Sequence, residues 1–176
     1  MKSLLTRTLT GALFVLVVAG SLWSSSLLYG LVFLLITVFT LREFYQLMAL
    51  AGNKPQMLMG MLLGAVLFAV SYAHASHHAT LHLYFVLLVL FPAVFITELF
   101  SRRSEPFHHI ANTILGVIYI ALPFSLMNYL VFVPCREGYD PAPVLAFFFL
   151  LWSFDTGAYL AGITMGRHLL WPSVSP

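Results

Sequence analysis

The sequence is short of charge. Eight basic and six acidic side chains are spread over 176 residues, so charged residues make up 8% of the chain, against about 25% in a soluble globular domain. So few charges cannot cover a water-facing surface of that size, which excludes an ordinary soluble fold. Cysteine is nearly absent. Cys135 stands alone, so no internal disulfide can form. The net charge of +2 is too small to mark a polyanionic partner, and no nucleic acid is expected. The start of the chain lacks a small-residue cleavage site of the A-x-A type, and further apolar runs follow the first, so a cleavable signal peptide is not expected either.

Hydrophobic residues, by contrast, make up 61% of the chain, and the mean hydropathy is +0.96. A helix that crosses a bilayer needs about 20 mostly apolar residues. Six runs approach that length: Leu9–Trp23, Ser26–Met48, Met57–Tyr72, His82–Phe100, Ile110–Val133 and Pro143–Met165. The first two lie so close together that a tight helical hairpin around "SLWSSS" is expected. In lipid every backbone polar group must be satisfied within the protein, which leaves helices or a closed barrel. Runs this continuous lack the alternation of a barrel strand. The expected fold is therefore all-α: a polytopic integral membrane protein of about six transmembrane helices in a single domain.

Charge placement orients it. With the N-terminus in the cytoplasm, Lys2, Arg7, Arg42, Lys54, Arg102, Arg103 and Arg167 fall on the inside, and only Arg136 falls outside. That alternation is what the positive-inside rule asks for, and it places both ends in the cytoplasm. Gly60 and Gly64 form a G-x-x-x-G, a pattern that lets helices approach closely. In a chain with several spans the expectation is internal packing rather than dimerisation.

Three groups of polar residues stand out. Glu98 precedes Arg102 by four, the favourable order for an ion pair along a helix at the membrane interface. His74, His78 and His82 are spaced by four, with His77 beside them, but the segment reads as an outer loop with no carboxylate or thiolate nearby, so a solvated loop is expected over a metal site. Asp155 differs from both because it lies near the middle of the last apolar run, where a carboxylate is costly and faces protein or a water-filled cavity. Asp155, Tyr159, Gly162 and Gly166 follow at i, i+4, i+7 and i+11 and draw one helical face, with Leu160 and Ile163 on the apolar flank. Such a stripe suits a cavity, or a hard cation held by oxygen ligands near a phosphate. A structural carboxylate bonded to another helix is the other reading.

The stretch "SFDTGAYLAGITMGRHLLWPSVSP" resembles the phosphatidate cytidylyltransferase (CDP-diacylglycerol synthase) family. That family carries D-T-x-A-Y-x-x-G-x-x-x-G-x-x-x-L-x-P-x-[IV]-S-P, matched here by Asp155, Thr156, Ala158, Tyr159, Gly162, Gly166, Leu170, Pro172, Val174, Ser175 and Pro176. "REFYQL", Arg42 to Leu47, is similar to the family's opening part. The family's K-K-T-x-E-G continuation and its Ser-x-x-Lys-Arg hallmark are absent, so the chain resembles the N-terminal part of such an enzyme and is expected to be inactive alone.

The resemblance implies transfer of the cytidylyl group of CTP to phosphatidate, giving CDP-diacylglycerol and pyrophosphate, at the inner (cytoplasmic) membrane. It implies Mg²⁺, with Asp155 as a metal ligand. It casts Asp155, Tyr159 and Ser175 as catalytic, and Thr156, Gly162, Gly166, Arg167 and Pro176 as substrate-binding. The partners it implies are CTP, phosphatidate and membrane lipid, with a homodimer left open. Three alternatives remain: another CTP-using membrane lipid kinase or transferase, a non-catalytic membrane remnant, and a small transporter. The last would need more polar residues on facing helices than Asn112, Thr113 and Asn128, which look scattered.

Overall fold

A computed structural model of the chain describes residues 2–101, 104–133 and 138–165. Two compact units make it up, Met1–Pro141 and Ala142–Pro176. Regular structure among the described residues is entirely helical. The first unit holds α1 (Lys2–Ser24), α2 (Ser26–Leu50), α3 (Met57–Ala75), a 3-10 turn (Leu81–Tyr84) leading into α4 (Phe85–Ser101), α5 (Pro106–Gly116), a π turn (Val117–Ala121) and α6 (Leu122–Val131). The second unit holds α7 (Ala142–Met165).

Among the described residues, five stretches are long and apolar enough to cross a membrane: Ser26–Leu50, Met57–Ala75, Leu81–Ser101, Pro106–Val131 and Ala142–Thr164. The chain is thus an all-α polytopic membrane protein. In α1 the described side chains add a further apolar stretch, Leu9–Ser24. Ser25 alone separates α1 from α2, as the close spacing of the two runs predicts. Its backbone is extended, and its hydroxyl accepts the Leu28 N–H at 3.2 Å, capping α2.

Helix α3 occupies the centre of the first unit and packs on α2, α4, α5, the π turn and α6. Its position depends on small residues. A side chain on Gly60 would run into the Tyr45 phenol, and one on Gly64 would meet Leu41 and Ala121. The G-x-x-x-G is therefore spent on internal packing, as expected. Gly116 does the same from α5, since a Cβ there would lie 2.6 Å from the Tyr45 ring. Tyr45 is fully buried between the two glycines, in a core shared with Leu41, Leu63, Val94, Ile110, Ile120 and Ala121. Its hydroxyl donates to the Thr113 carbonyl at 2.7 Å.

The π turn has an identifiable cause. Pro123 has no N–H to give the Tyr119 carbonyl, and its ring crowds that carbonyl. A widened turn at Val117–Ala121 relieves the crowding and lets α5 and α6 run on as one span.

Candidate functional site

The second unit carries the residues that the sequence singles out. α7 is continuous from Ala142 to Met165, with no break at Asp155. The helical register therefore holds: Asp155, Tyr159 and Gly162 share one face, and Thr156 sits one position round from Asp155. All four are exposed, Tyr159 to 68%. A Cβ built on Gly162 would meet nothing, so the backbone is bare at that end of the stripe. Thr164, one turn beyond Leu160, returns its hydroxyl to the Leu160 carbonyl at 2.6 Å and so hides its own polarity. Asp155 has no such local outlet. An exposed carboxylate ten residues from the end of an apolar span is costly against lipid, so this face is built to meet water, a ligand or another polar surface. Gly166, Arg167, Ser175 and Pro176 lie outside the described residues.

The first unit holds a polar site that the sequence only half announced. Glu98, near the end of α4, is 1% exposed. Its Oε1 lies 2.7 Å from Nδ1 of His109 on α5, and its Oε2 accepts from Gln56 Nε2 at 2.7 Å. Gln56 also donates to the Val94 carbonyl at 2.9 Å and accepts from the Thr97 hydroxyl at 2.7 Å. Its backbone N–H donates to Thr113 Oγ1 at 2.8 Å, and that hydroxyl donates in turn to the His109 carbonyl at 2.8 Å. One knot thus ties the α2–α3 connection to α4 and α5. A groove of about 390 Å³, lined by Pro55, Gln56, Met57, Thr97, Glu98 and Ser101, opens beside it.

Glu98 is a buried carboxylate that pairs across helices with His109, a partner beyond the one expected along its own helix. Arg102 lies outside the described residues. The missed partners carried one faint signal, a carboxylate and an imidazole flanking a short connection that ends at Pro106. Glu105, just before that proline, takes a left-handed conformation with φ 60°, and the reversal brings α5 back so that His109 faces Glu98. Asn112 and Thr113 are not scattered either. Asn112 Nδ2 and His108 Nε2 both bond Asn53 Oδ1 at 2.9 Å.

Further polar contacts lie away from this knot. Tyr29 donates to Asn128 Oδ1 at 3.0 Å, and Asn128 donates to the Phe68 carbonyl at 3.4 Å. His74 is not in a loop but in the last turn of α3, where Nδ1 lies 3.0 Å from the Tyr129 hydroxyl. His77 and His78 are exposed, as a solvated loop requires. Among the described residues no three His, Cys, Asp or Glu side chains group as a metal site. In the 138–141 segment, burial pushes the Tyr139 phenol above its ordinary range, with Tyr72 adding to the effect. The phenol donates to the Leu22 carbonyl at 2.7 Å.

A sequence model of the cytidylyltransferase family matches residues 5–176. The chain belongs to that family. Among curated proteins it is 34% identical over 76 residues to a phosphatidate cytidylyltransferase of Staphylococcus aureus (strain COL), a match covering 43% of this chain and 27% of that protein. It is 30% identical over 94 residues to a phosphatidate cytidylyltransferase of Bacillus subtilis (strain 168), covering 53% of this chain and 32% of that protein. The matched segments therefore span about a third or less of those relatives. No solved structure matches.

Proposed function

We propose that this chain serves the transfer of a cytidylyl group from CTP to phosphatidate, with the Asp155 face of α7 in the site. The observation that carries the reading is the exposed Asp155–Tyr159–Gly162 stripe inside an apolar span of a cytidylyltransferase-family chain. One substrate of this reaction dissolves in lipid and the other in water. A polar stripe that descends along a membrane helix suits a site serving both.

In the reaction a phosphate oxygen of phosphatidate attacks the α-phosphorus of CTP and pyrophosphate leaves. Negative charge gathers on phosphate oxygens, which fixed positive charge and oriented donors stabilise. Mg²⁺ fits the donors present in one respect. Asp155 offers a carboxylate, and Thr156 and Tyr159 offer hydroxyl oxygens, the hard ligands this ion takes alongside water and substrate phosphates. Bound there, it would neutralise phosphate charge. Asp155 is the residue that would hold it. The bare backbone at Gly162 leaves room for a substrate against the helix. Gly166, Arg167, Ser175 and Pro176 complete the proposed site by their place in the motif.

The charge alternation supports a cytoplasmic-membrane protein with both described ends facing the cytoplasm, where CTP is found. The deciding experiment is Asp155→Asn in membranes that carry the complete gene product, assayed for CTP-dependent conversion of phosphatidate. Conversion is expected to fall by about a hundredfold or more, the scale of losing one charge-stabilising group. Conversion near wild type would remove Asp155 from the site.

A further inference from the structure

We propose that the groove between the first turns of α2 and the last turns of α3 binds one acyl chain of a bilayer glycerolipid, whatever its headgroup, and that the Tyr72 hydroxyl bonds the ester carbonyl of that chain. The site lies in the first unit and does not depend on the reading given to Asp155.

The groove measures about 130 Å³. Leu27, Leu31 and Leu34 of α2, at i, i+4 and i+7, form one wall, and Phe68, Ala69 and Tyr72 of α3 form the other. Gly30 lies between the walls. The Tyr72 ring takes the space that a Gly30 side chain would need, with Cε2 2.7 Å and Cζ 3.0 Å from the position of the absent Cβ. The same ring packs on Tyr29 and Phe132, at centroid distances of 6.4 and 5.5 Å, so this wall is fixed. Leu27, Leu31 and Ala69 are exposed, and the groove opens outward between them. The Tyr72 hydroxyl has no hydrogen-bond partner among the described residues. No buried side-chain oxygen there lacks one, so this hydroxyl is reachable from outside.

Depth selects the occupant. The 25 residues of α2 extend about 37 Å at 1.5 Å per residue, against hydrocarbon about 30 Å thick, so each end overhangs by about 4 Å. Gly30 is the fifth residue of this helix and Leu34 the ninth, about 6 and 12 Å from its start. The groove therefore begins at the level of the glycerol esters and descends into hydrocarbon. Water does not fill an apolar cavity of this kind, whereas one of about 150 Å³ takes up benzene, so the volume here suits about six carbons of an acyl chain. Lipid is as apolar as the groove, and no hydrophobic gain drives the chain in. The affinity comes from the contacts that an empty groove forfeits and from the bond between phenol and ester. The headgroup lies beyond both and is not read. Such a chain fastens α2 to α3 at the end remote from the Gly60–Tyr45 contact.

Photo-crosslinking in nanodiscs tests the site. The wild-type protein is irradiated with phosphatidylcholine that carries a diazirine in the upper part of its acyl chain, and the adducts are mapped by mass spectrometry. Val89 is the comparison, since it is exposed and is the ninth residue of the Leu81–Ser101 span, at the depth of Leu34. Adducts at 27–34 and 68–72 are expected to exceed those at Val89 about fivefold or more, the weight of one net hydrogen bond. Phosphatidylglycerol with the same chain should give the same ratio. Tyr72→Phe removes only the hydroxyl and should lower the ratio about fivefold. Ala69→Phe fills the groove and should bring the ratio to parity. Parity in the wild-type protein would reduce the groove to ordinary boundary lipid. A ratio untouched by Ala69→Phe would place the chain elsewhere, and one untouched by Tyr72→Phe would remove the ester bond. Enrichment confined to phosphatidate would make the occupant a substrate. Each of these overturns the proposal. None of them reads turnover, so the result stands apart from that of Asp155→Asn.

Discussion

Replacing Gly60 with alanine should force apart a close helix contact. The new methyl would enter space held by the Tyr45 phenol. The ring cannot retreat, because Gly116 of α5 closes it from the other side and the hydroxyl is fixed to the Thr113 carbonyl. Either α3 moves off α2 or the hydrogen bond breaks. Overpacking a well-filled core costs about 1–3 kcal/mol, and an interhelical hydrogen bond in a membrane protein contributes about 0.6 kcal/mol on average and up to about 1.7. Gly60→Ala should therefore cost about 2–4 kcal/mol in reversible denaturation from bicelles. Tyr45→Phe alone should cost about 1 kcal/mol, the loss of one such bond. In the double variant the nearest of the obstructing atoms is gone and the hydrogen bond is lost only once, so its cost should fall below the sum of the single costs by about 1 kcal/mol. Additivity to within about 0.5 kcal/mol, the behaviour of uncoupled sites, would refute the claim that the phenol is the obstacle.

Glu98→Ala should destabilise the protein by about 3–5 kcal/mol, the cost of stripping one partner from a buried charged pair, with Glu98→Gln costing less by the same denaturation assay. Tyr29→Phe should cost about 1–3 kcal/mol, because the buried Asn128 carbonyl loses its donor. Tyr139 gives a pH dependence. Its folded-state pKa is raised above the unfolded value of 10.0, so its contribution is complete below pH 10 and is lost as pH rises beyond that. Tyr139→Phe should reduce the alkaline slope of stability by one proton's worth. For topology, Cys135 in intact cells should react with a membrane-impermeant maleimide from outside. Reaction only in inverted vesicles would reverse the orientation.

The spans were legible because a bilayer sets a length, and runs of about 20 apolar residues are easy to count. Asp155 was legible for the same reason in reverse, as a charge where lipid tolerates few. Gly60 and Gly64 announced a close approach, although not that Tyr45 would fill it. Which face of each helix turns inward was not legible. In water an amphipathic pattern marks the buried side, but here lipid and core are equally apolar and the contrast disappears. Tyr29 and Asn128 are 99 residues apart, and no local pattern joins them. Glu98 and His109 meet only because Glu105 turns left-handed ahead of Pro106, which reverses the chain. Asn112, Thr113 and Asn128 looked scattered along the sequence because their partners lie on other helices.

The π turn ahead of Pro123 acts as a phase adjuster. It inserts one residue into a span whose two halves each answer to a different neighbour: His109 and Thr113 to the Glu98 knot, Asn128 to Tyr29. One residue is worth about 100° of rotation and 1.5 Å of rise in a regular helix. Deleting a single residue from Val117–Ala121 would keep the span apolar, yet it would turn Asn128 a quarter-circle or more out of Tyr29's reach. The two polar knots are thus geared to each other through one irregular turn, and a change of length there is transmitted from one side of the bilayer to the other.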